Sequence, residues 1–337
     1  MTWQLWGHDW AARLLQQHIR SGEVRHAYLF SGAAGVGRRT LALRFARALN
    51  CAQPPQPGEA CGACRICRQT EHMQQPDLAV VRSAEGGSSI KVEQVRELQR
   101  SLVLSPYEAR YRVALLLNFE QATASAQNAL LKTLEEAPEK VILLLTAASP
   151  EDLLPTIVSR CEVLRLRPLP VAALAQRLQS QRGLPAGQAQ LFAHLAGGKP
   201  GAALRLLDDP AALDQRRAGL DSLFNALQGD RYQRFLIAEA LAGKDKENAR
   251  AALRLWSSAW RDVLLLCGRA DIALTHVDLR DTLAAIAAQV DFARAYACLE
   301  AIEQAQAGLD ANLNLRLMLE VLLLDLPRLS GLRQPSL

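Results

Sequence analysis

Four cysteines carry the sharpest chemical signal in this sequence, in the arrangement Cys51-x9-Cys61-Gly62-Ala63-Cys64-Arg65-Ile66-Cys67. Three thiols at successive C-x-x-C spacing plus a fourth can close a tetrahedral Zn–S4 site, because each C-x-x-C turn aims both sulfurs at one ion. Pro54, Pro55, Pro57 and Gly58 make the intervening segment a loop able to fold back. Four thiolates leave no coordination position open, so such a zinc ion would be structural, not catalytic. Iron–sulfur clusters use related spacing, and incidental or packed cysteines are a third reading. The chain holds seven cysteines, of which Cys161, Cys267 and Cys298 stand far apart. In a reducing cytosol such clustering points to metal rather than to disulfides.

The second constellation is Gly32-Ala33-Ala34-Gly35-Val36-Gly37-Arg38-Arg39-Thr40, between the apolar run Ala27-Tyr28-Leu29-Phe30-Ser31 and the helical pattern that starts at Leu41. Glycines there let successive backbone N–H groups turn toward a phosphate at a helix N-terminus. Hydrolysis would need lysine at Arg38 and a hydroxyl at Arg39, and Thr40 comes one residue late. The loop therefore reads as a phosphate-binding loop in form, with a plain structural turn as the alternative. The strand that should end in metal-holding acids, residues 113–117, is followed by Asn118-Phe119-Glu120, so Leu117 and Asn118 stand where a working site has its acidic pair. Glu120 reads as a surface residue at a helix start. The third constellation, Ser159-Arg160-Cys161, reads by itself as a helix-end cap or a surface charge.

These residues need a scaffold. At 337 residues the chain is long enough for two or three domains of about 150 residues each. Half of it is hydrophobic and 22% is charged, which excludes disorder. No run approaches the ~18 apolar residues of a membrane helix, and no signal-peptide pattern opens the chain, so a cytoplasmic location is expected. The net charge of +5 (39 basic, 34 acidic) permits contact with a polyanion but is modest for a dedicated nucleic-acid binder. Residues 27–31, 78–81, 112–117 and 141–145 are continuous apolar runs, as buried parallel strands require. Helical spacing between them, as in Val92, Val95, Leu98 and Leu102, predicts a wound α/β domain. Pro168-Leu169-Pro170 breaks the pattern, a small helical unit follows to Asp208-Asp209-Pro210, and the remainder is helical in period.

Read together, several segments resemble the clamp-loader branch of the AAA+ family, the ring assemblies of bacterial DNA polymerase III. They are His26-Ala27-Tyr28-Leu29-Phe30-Ser31-Gly32, the four cysteines, Asn128-Ala129-Leu130-Leu131-Lys132-Thr133-Leu134-Glu135-Glu136-Ala137-Pro138, and Thr156-Ile157-Val158-Ser159-Arg160-Cys161. The similarity covers residues 5–205 well, and Asn312-Leu313-Asn314 with the apolar run to Leu326 is similar to the family's last collar helix.

The resemblance implies an α/β AAA+ P-loop domain over residues 1–166 with a zinc insertion at about 50–70, a helical lid over 167–208, and an all-α oligomerisation collar over 209–337. It implies Zn2+ on Cys51, Cys61, Cys64 and Cys67, and a trans-acting Arg160, flanked by Ser159 and Cys161, that reaches a neighbouring subunit's ATP. The family's own-nucleotide residues fall on Gly32, Gly35, Gly37, Arg38, Arg39 and Thr40, and here Arg38, Arg39, Leu117-Asn118 and Gly201 (at the lid-arginine place) all depart from the hydrolysing pattern. The expectation is a stator without ATPase activity of its own, inside the nucleotidyltransferase complex. Its expected partners are the ATP-hydrolysing tau and gamma subunits, the delta subunit, the sliding clamp and primed DNA, with no membrane. An ATP-hydrolysing subunit of tau/gamma type and a zinc-dependent DNA-binding module are the rival readings.

Overall fold

In the computed structural model, which describes residues 3–83, 89–243, 246–311 and 313–332, the apolar runs become the strands of one parallel sheet. Asn312 of the expected collar motif lies outside the described residues. The chain forms two units, Met1–Pro170 with Gly198–Ala202 and Val171–Gly197 with Ala203–Leu337, so the stretch expected as a lid contributes to both.

In chain order the first unit holds α1 (Asp9–Ser21), β1 (Ala27–Ser31), α2 (Arg38–Asn50), α3 (Arg65–Glu71), β2 (Leu78–Val81) and α4 (Val92–Leu102). It continues with β3 (Arg112–Leu116), α5 (Ala124–Glu135), β4 (Val141–Ala147), α6 (Pro155–Val158) and β5 (Glu162–Arg165). The strand order is β2-β3-β4-β1-β5, with Tyr28 opposite Leu144 on one side and Glu162 on the other. All five residues of β1 and all seven of β4 are buried, which is why the runs show no polar alternation. Successive side chains go to opposite faces. Tyr28, Phe30, Leu115 and Leu144 pack with Leu15, Leu41 and Phe45 of α1 and α2. Leu29, Leu116, Leu143 and Leu145 pack with Leu98 of α4 and Leu130 of α5 on the other face.

The remaining helices are α7 (Val171–Arg182), α8 (Ala186–Leu195), α9 (Pro200–Asp208), α10 (Ala212–Gln228), α11 (Arg231–Ala242) and α12 (Lys246–Cys267), then α13 (Arg280–Ala287), α14 (Phe292–Asp310) and α15 (Leu315–Asp325). Trp256 and Trp260 of α12 are buried in a core with Phe224, Leu283, Ile302 and Leu319. The expectation of a helical second half holds: the described residues of this unit contain no strand. Arg234 is buried and donates to the carbonyls of Ala226, Leu323, Leu326 and Pro327, closing the C-terminal end of α15 with a cation where the helix dipole is negative.

A second buried polar group makes this unit sensitive to acid. His276 Nδ1 accepts from Arg216 Nη2 at 2.8 Å, which leaves its proton on Nε2, 3.2 Å from Ser258 Oγ. Burial, with the Arg216 charge next, lowers the His276 pKa from 6.5 to about 4, Asp278 opposing. Between those values the unfolded chain binds the proton and the folded chain does not, so stability is complete above pH 6.5 and falls as pH drops. By pH 5 the loss attributable to His276 is about 2 kcal/mol. The buried Asp262 carboxyl, raised by burial against hydrogen bonds from His276 and Thr275 N–H, works in the opposite direction. Urea unfolding followed by tryptophan fluorescence at pH 7 and pH 5 should show this drop, and His276→Gln should flatten it; equal pH dependence in both proteins would rule the assignment out.

Candidate functional site

The glycine loop springs from β1, whose next residue, Gly32, donates its N–H to both Ala147 O and Ala148 O at 3.1 Å. A Cβ at Gly32 would lie 2.4 Å from Leu166 O, and φ there is +147°, so only glycine fits between the strands. Gly35 and Gly37 also take positive φ, and Gly37 caps α2. Arg38 opens α2 and is buried at 8% exposure, whereas Arg39 and Thr40 are exposed.

Arg38 is engaged within the chain, although its Nη1 and Glu120 Oε2 are buried without a hydrogen-bond partner. Its Nη2 donates to Asn118 Oδ1 at 2.9 Å, and its Nη1 lies 3.8 Å from Glu120 Oε1. Burial lowers the guanidinium pKa while the Glu120 carboxylate raises it. Asn118 sits at φ 50° after β3, and its N–H donates to Thr146 Oγ1 at 2.8 Å, so the strand end turns back toward the loop. Glu120 is therefore no ordinary surface residue, contrary to the expectation from sequence. Its side chain is only 20% exposed because it faces the Arg38 charge. At the lid-arginine place, Gly201 N–H donates to Gly35 O at 2.8 Å, and a Cβ there would stand 3.0 Å from that oxygen. Glycine at 201 thus permits backbone-to-backbone contact with the loop.

This arrangement predicts a cost for removing the cation. Arg38→Ala should destabilise the first unit by about 1–3 kcal/mol, because Glu120 is left partly buried and unpaired. Adding Glu120→Gln should return part of that loss in urea titrations. An unchanged midpoint in the single variant would mean that the contact carries no stability.

The cysteines converge. Cys51 caps the end of α2, and Cys64 caps the start of α3 with its Sγ accepting from Cys67 N at 3.4 Å. Cys61 N–H donates to Cys51 Sγ at 3.2 Å and Cys64 N–H to Cys61 Sγ at 3.3 Å. Hydrogen bonds from the Cys64 and Ala63 backbone pull Cys61 down to about 6, while burial pushes the Cys51 and Cys67 thiols up. All four Sγ lie within 4.8 Å of one another, and Cys61 and Cys67 are 3.9 Å apart. A tetrahedron with Zn–S bonds of ~2.3 Å has edges of ~3.8 Å, so the donor set fits one zinc ion. A cluster of several irons and sulfides would need a wider cage. Arg47 and Arg44 of α2 both reach Glu71 of α3, fastening the two helices beside the sulfurs.

The third group is built on α6. Ser159 ends it, its Oγ donating to Thr156 O at 3.2 Å. Arg160 is 35% exposed, with Nη1 on Thr156 O at 2.9 Å and Nη2 on Glu135 Oε1 at 2.8 Å. Cys161 packs against the hydrophobic core to which Ile157 and Leu153 belong, and burial raises its thiol to about 12, which makes it packing rather than a nucleophile. The hydrogen bonds of Arg160 thus run to α5 and α6 and not to the glycine loop. Sequence reasoning had not singled out the Arg38–Asn118–Glu120 contact or the Glu135 partner, though both acids stood inside segments it had marked.

Comparison with known proteins fits this division. The family described as "DNA polymerase III, delta subunit" matches residues 7–170, and that described as "DNA polymerase III, delta subunit, C terminal" matches residues 210–328. The DNA polymerase III subunit tau of Escherichia coli is 32% identical, with 73% of this chain matched but only 39% of that protein. The DNA polymerase III subunit delta' of Bacillus subtilis is 30% identical over 93% of this chain and 94% of its own length. That of Pseudomonas aeruginosa is 32% identical over 96% and 98%. The chain belongs to the delta-prime family of DNA polymerase III subunits. Its likeness to delta-prime runs nearly end to end, through both the sheet unit and the helical unit, whereas tau shares only part of its length. In this delta-prime chain Arg38 is buried beside Asn118 and Glu120, and Arg160, two residues past the end of α6, keeps a side chain 35% exposed.

Proposed function

We propose that this delta-prime chain is a clamp-loader stator: it hydrolyses no ATP itself and presents Arg160 to ATP held by a neighbouring tau or gamma subunit. One contrast carries the reading. Arg38, at the place where its own nucleotide would need a lysine, is buried and engaged with Asn118 and Glu120 of the same chain, while Arg160 is accessible and keeps unused donors. A guanidinium delivered in trans steadies the negative charge that spreads over the transferring phosphoryl oxygens, and an arginine fork suits this better than a point charge. Ser159 closes the turn that carries Arg160, and Cys161 anchors the other side in the core.

Gly32, Gly35 and Gly37 retain the loop shape, with Arg39 and Thr40 exposed beside it. Cys51, Cys61, Cys64 and Cys67 would hold a structural Zn2+ that ties the end of α2 to α3 and takes no part in the reaction. The sheet unit and lid serve the neighbour's nucleotide, and residues 209–337 form the collar that joins tau/gamma and delta subunits into a ring. That ring places the sliding clamp on primed DNA in the cytoplasm. An ATP-hydrolysing subunit of tau type is disfavoured by the missing acids at Leu117-Asn118.

The test is single-turnover ATP hydrolysis by a complex reconstituted from tau or gamma, delta and this chain, with clamp and primed DNA. Wild type and Arg160→Ala are compared at equal assembly, verified by gel filtration. Unchanged kinetics would sink the trans-acting role, and magnesium-dependent turnover by the isolated chain would sink the stator reading.

A further inference from the structure

From the ion pair on α5 we infer that Glu135 is the positioning residue of Arg160, holding its guanidinium in the orientation from which it meets the neighbour's phosphate; this rests on the trans-acting role proposed for Arg160. An arginine side chain is long and rotamer-rich, and an untethered one partly exposed at a subunit surface would spread over many conformers. Here both terminal nitrogens are held, Nη1 by Thr156 O within its own turn and Nη2 by Glu135 Oε1 across from α5. Of the five N–H donors of a guanidinium, two are used in this way and three stay free for a phosphate.

The frame that carries the two residues is stiff. Thr123 caps the start of α5, Leu130 and Leu134 anchor it in the core, and Glu135 is its last residue. Gln127 of the same helix accepts the Leu154 N–H at 3.0 Å with Oε1 and donates to Ala122 O with Nε2. Leu154 immediately precedes α6, so the helix that bears Glu135 also locates the turn that bears Arg160. The next residue, Glu136, is also exposed and makes no ion pair with Arg160, which provides an internal control. The pair itself is a solvent-exposed one, 35% and 52% exposed, of a kind that contributes little to folding. Its consequence is preorganisation: the finger is ordered before the neighbour arrives, so less ordering is left for the complex.

The experiment uses the same reconstituted complex and follows the hydrolysis phase that depends on Arg160. Glu135→Ala should slow that phase about 10-fold without changing its dependence on ATP concentration, as expected for a misplaced rather than an absent group. Glu135→Gln should keep most of the rate, since its amide oxygen still accepts from Nη2, and Glu136→Ala should match wild type. In an Arg160→Ala background, Glu135→Ala should have no further effect, which separates positioning from a general structural role. A wild-type rate in Glu135→Ala, a faster one, or an equal further loss in the Arg160→Ala background would overturn the inference while leaving the role of Arg160 intact. No effect of Arg160→Ala in the first place would overturn both.

Discussion

Replacing Arg160 with alanine should slow one phase of ATP hydrolysis in the reconstituted complex about 10³-fold, the lower end of what a trans-acting arginine contributes. Phases from sites served by other subunits should persist. The side chain is 35% exposed, and among the described residues its hydrogen bonds run only to Glu135 and one backbone carbonyl, so its removal should cost little stability and leave folding and assembly unchanged. The kinetic loss therefore reports chemistry and not stability. Arg160→Lys should recover little, because an ammonium can neither keep both anchors nor meet a phosphate with a planar fork. A lysine variant with wild-type kinetics would reduce the requirement to a bare positive charge.

The second large effect concerns the sulfur cluster. Metal analysis of the purified chain should find one zinc ion, and Cys67→Ser should abolish it, because Cys67 is the buried member of the four and a hydroxyl is a poor replacement for a thiolate. Structural zinc sites of this type contribute on the order of 10 kcal/mol of apparent binding free energy, so the segment between α2 and α3 should lose its order when the ion is removed. The sheet should survive, since its two cores are built from aliphatic and aromatic side chains on either face and include none of the four cysteines. Limited proteolysis of wild type, chelator-treated wild type and the Cys67→Ser variant tests this. New cleavage confined to residues 51–71 is expected, and an unchanged digest with one bound zinc in the variant would refute it.

The strands and helices that carry these sites were legible in the sequence wherever burial was one-dimensional. The runs at residues 27–31 and 78–81 coincide with β1 and β2, and the run at 141–145 needed only Thr146 and Ala147 to complete β4. Parallel strands covered on both faces must be apolar throughout, so composition along the chain is sufficient to find them. The cysteine spacing was legible for a similar reason: a C-x-x-C turn is local, and its geometry does not depend on the rest of the fold.

Function at the glycine loop and at Arg160 was only half legible. From sequence, Arg38 is a lysine lost from a phosphate loop and Glu120 a charge three residues past Leu117. Only the tertiary structure brings them together, because β3 and β1 are separated by β4 in the sheet and the left-handed turn at Asn118 directs the strand end back toward α2. Glu135 and Arg160 are 25 residues apart in the chain and meet where α5 and α6 pack, with Gln127 tying α5 to the approach to α6. The sequence by itself determined which residue types are present, where the apolar runs lie and which local turns can form, because those follow from side-chain chemistry over a few neighbours. Which charges are cancelled inside the chain and which remain available to another molecule was decided by tertiary structure alone, since electrostatic pairing depends on distance in space rather than along the chain.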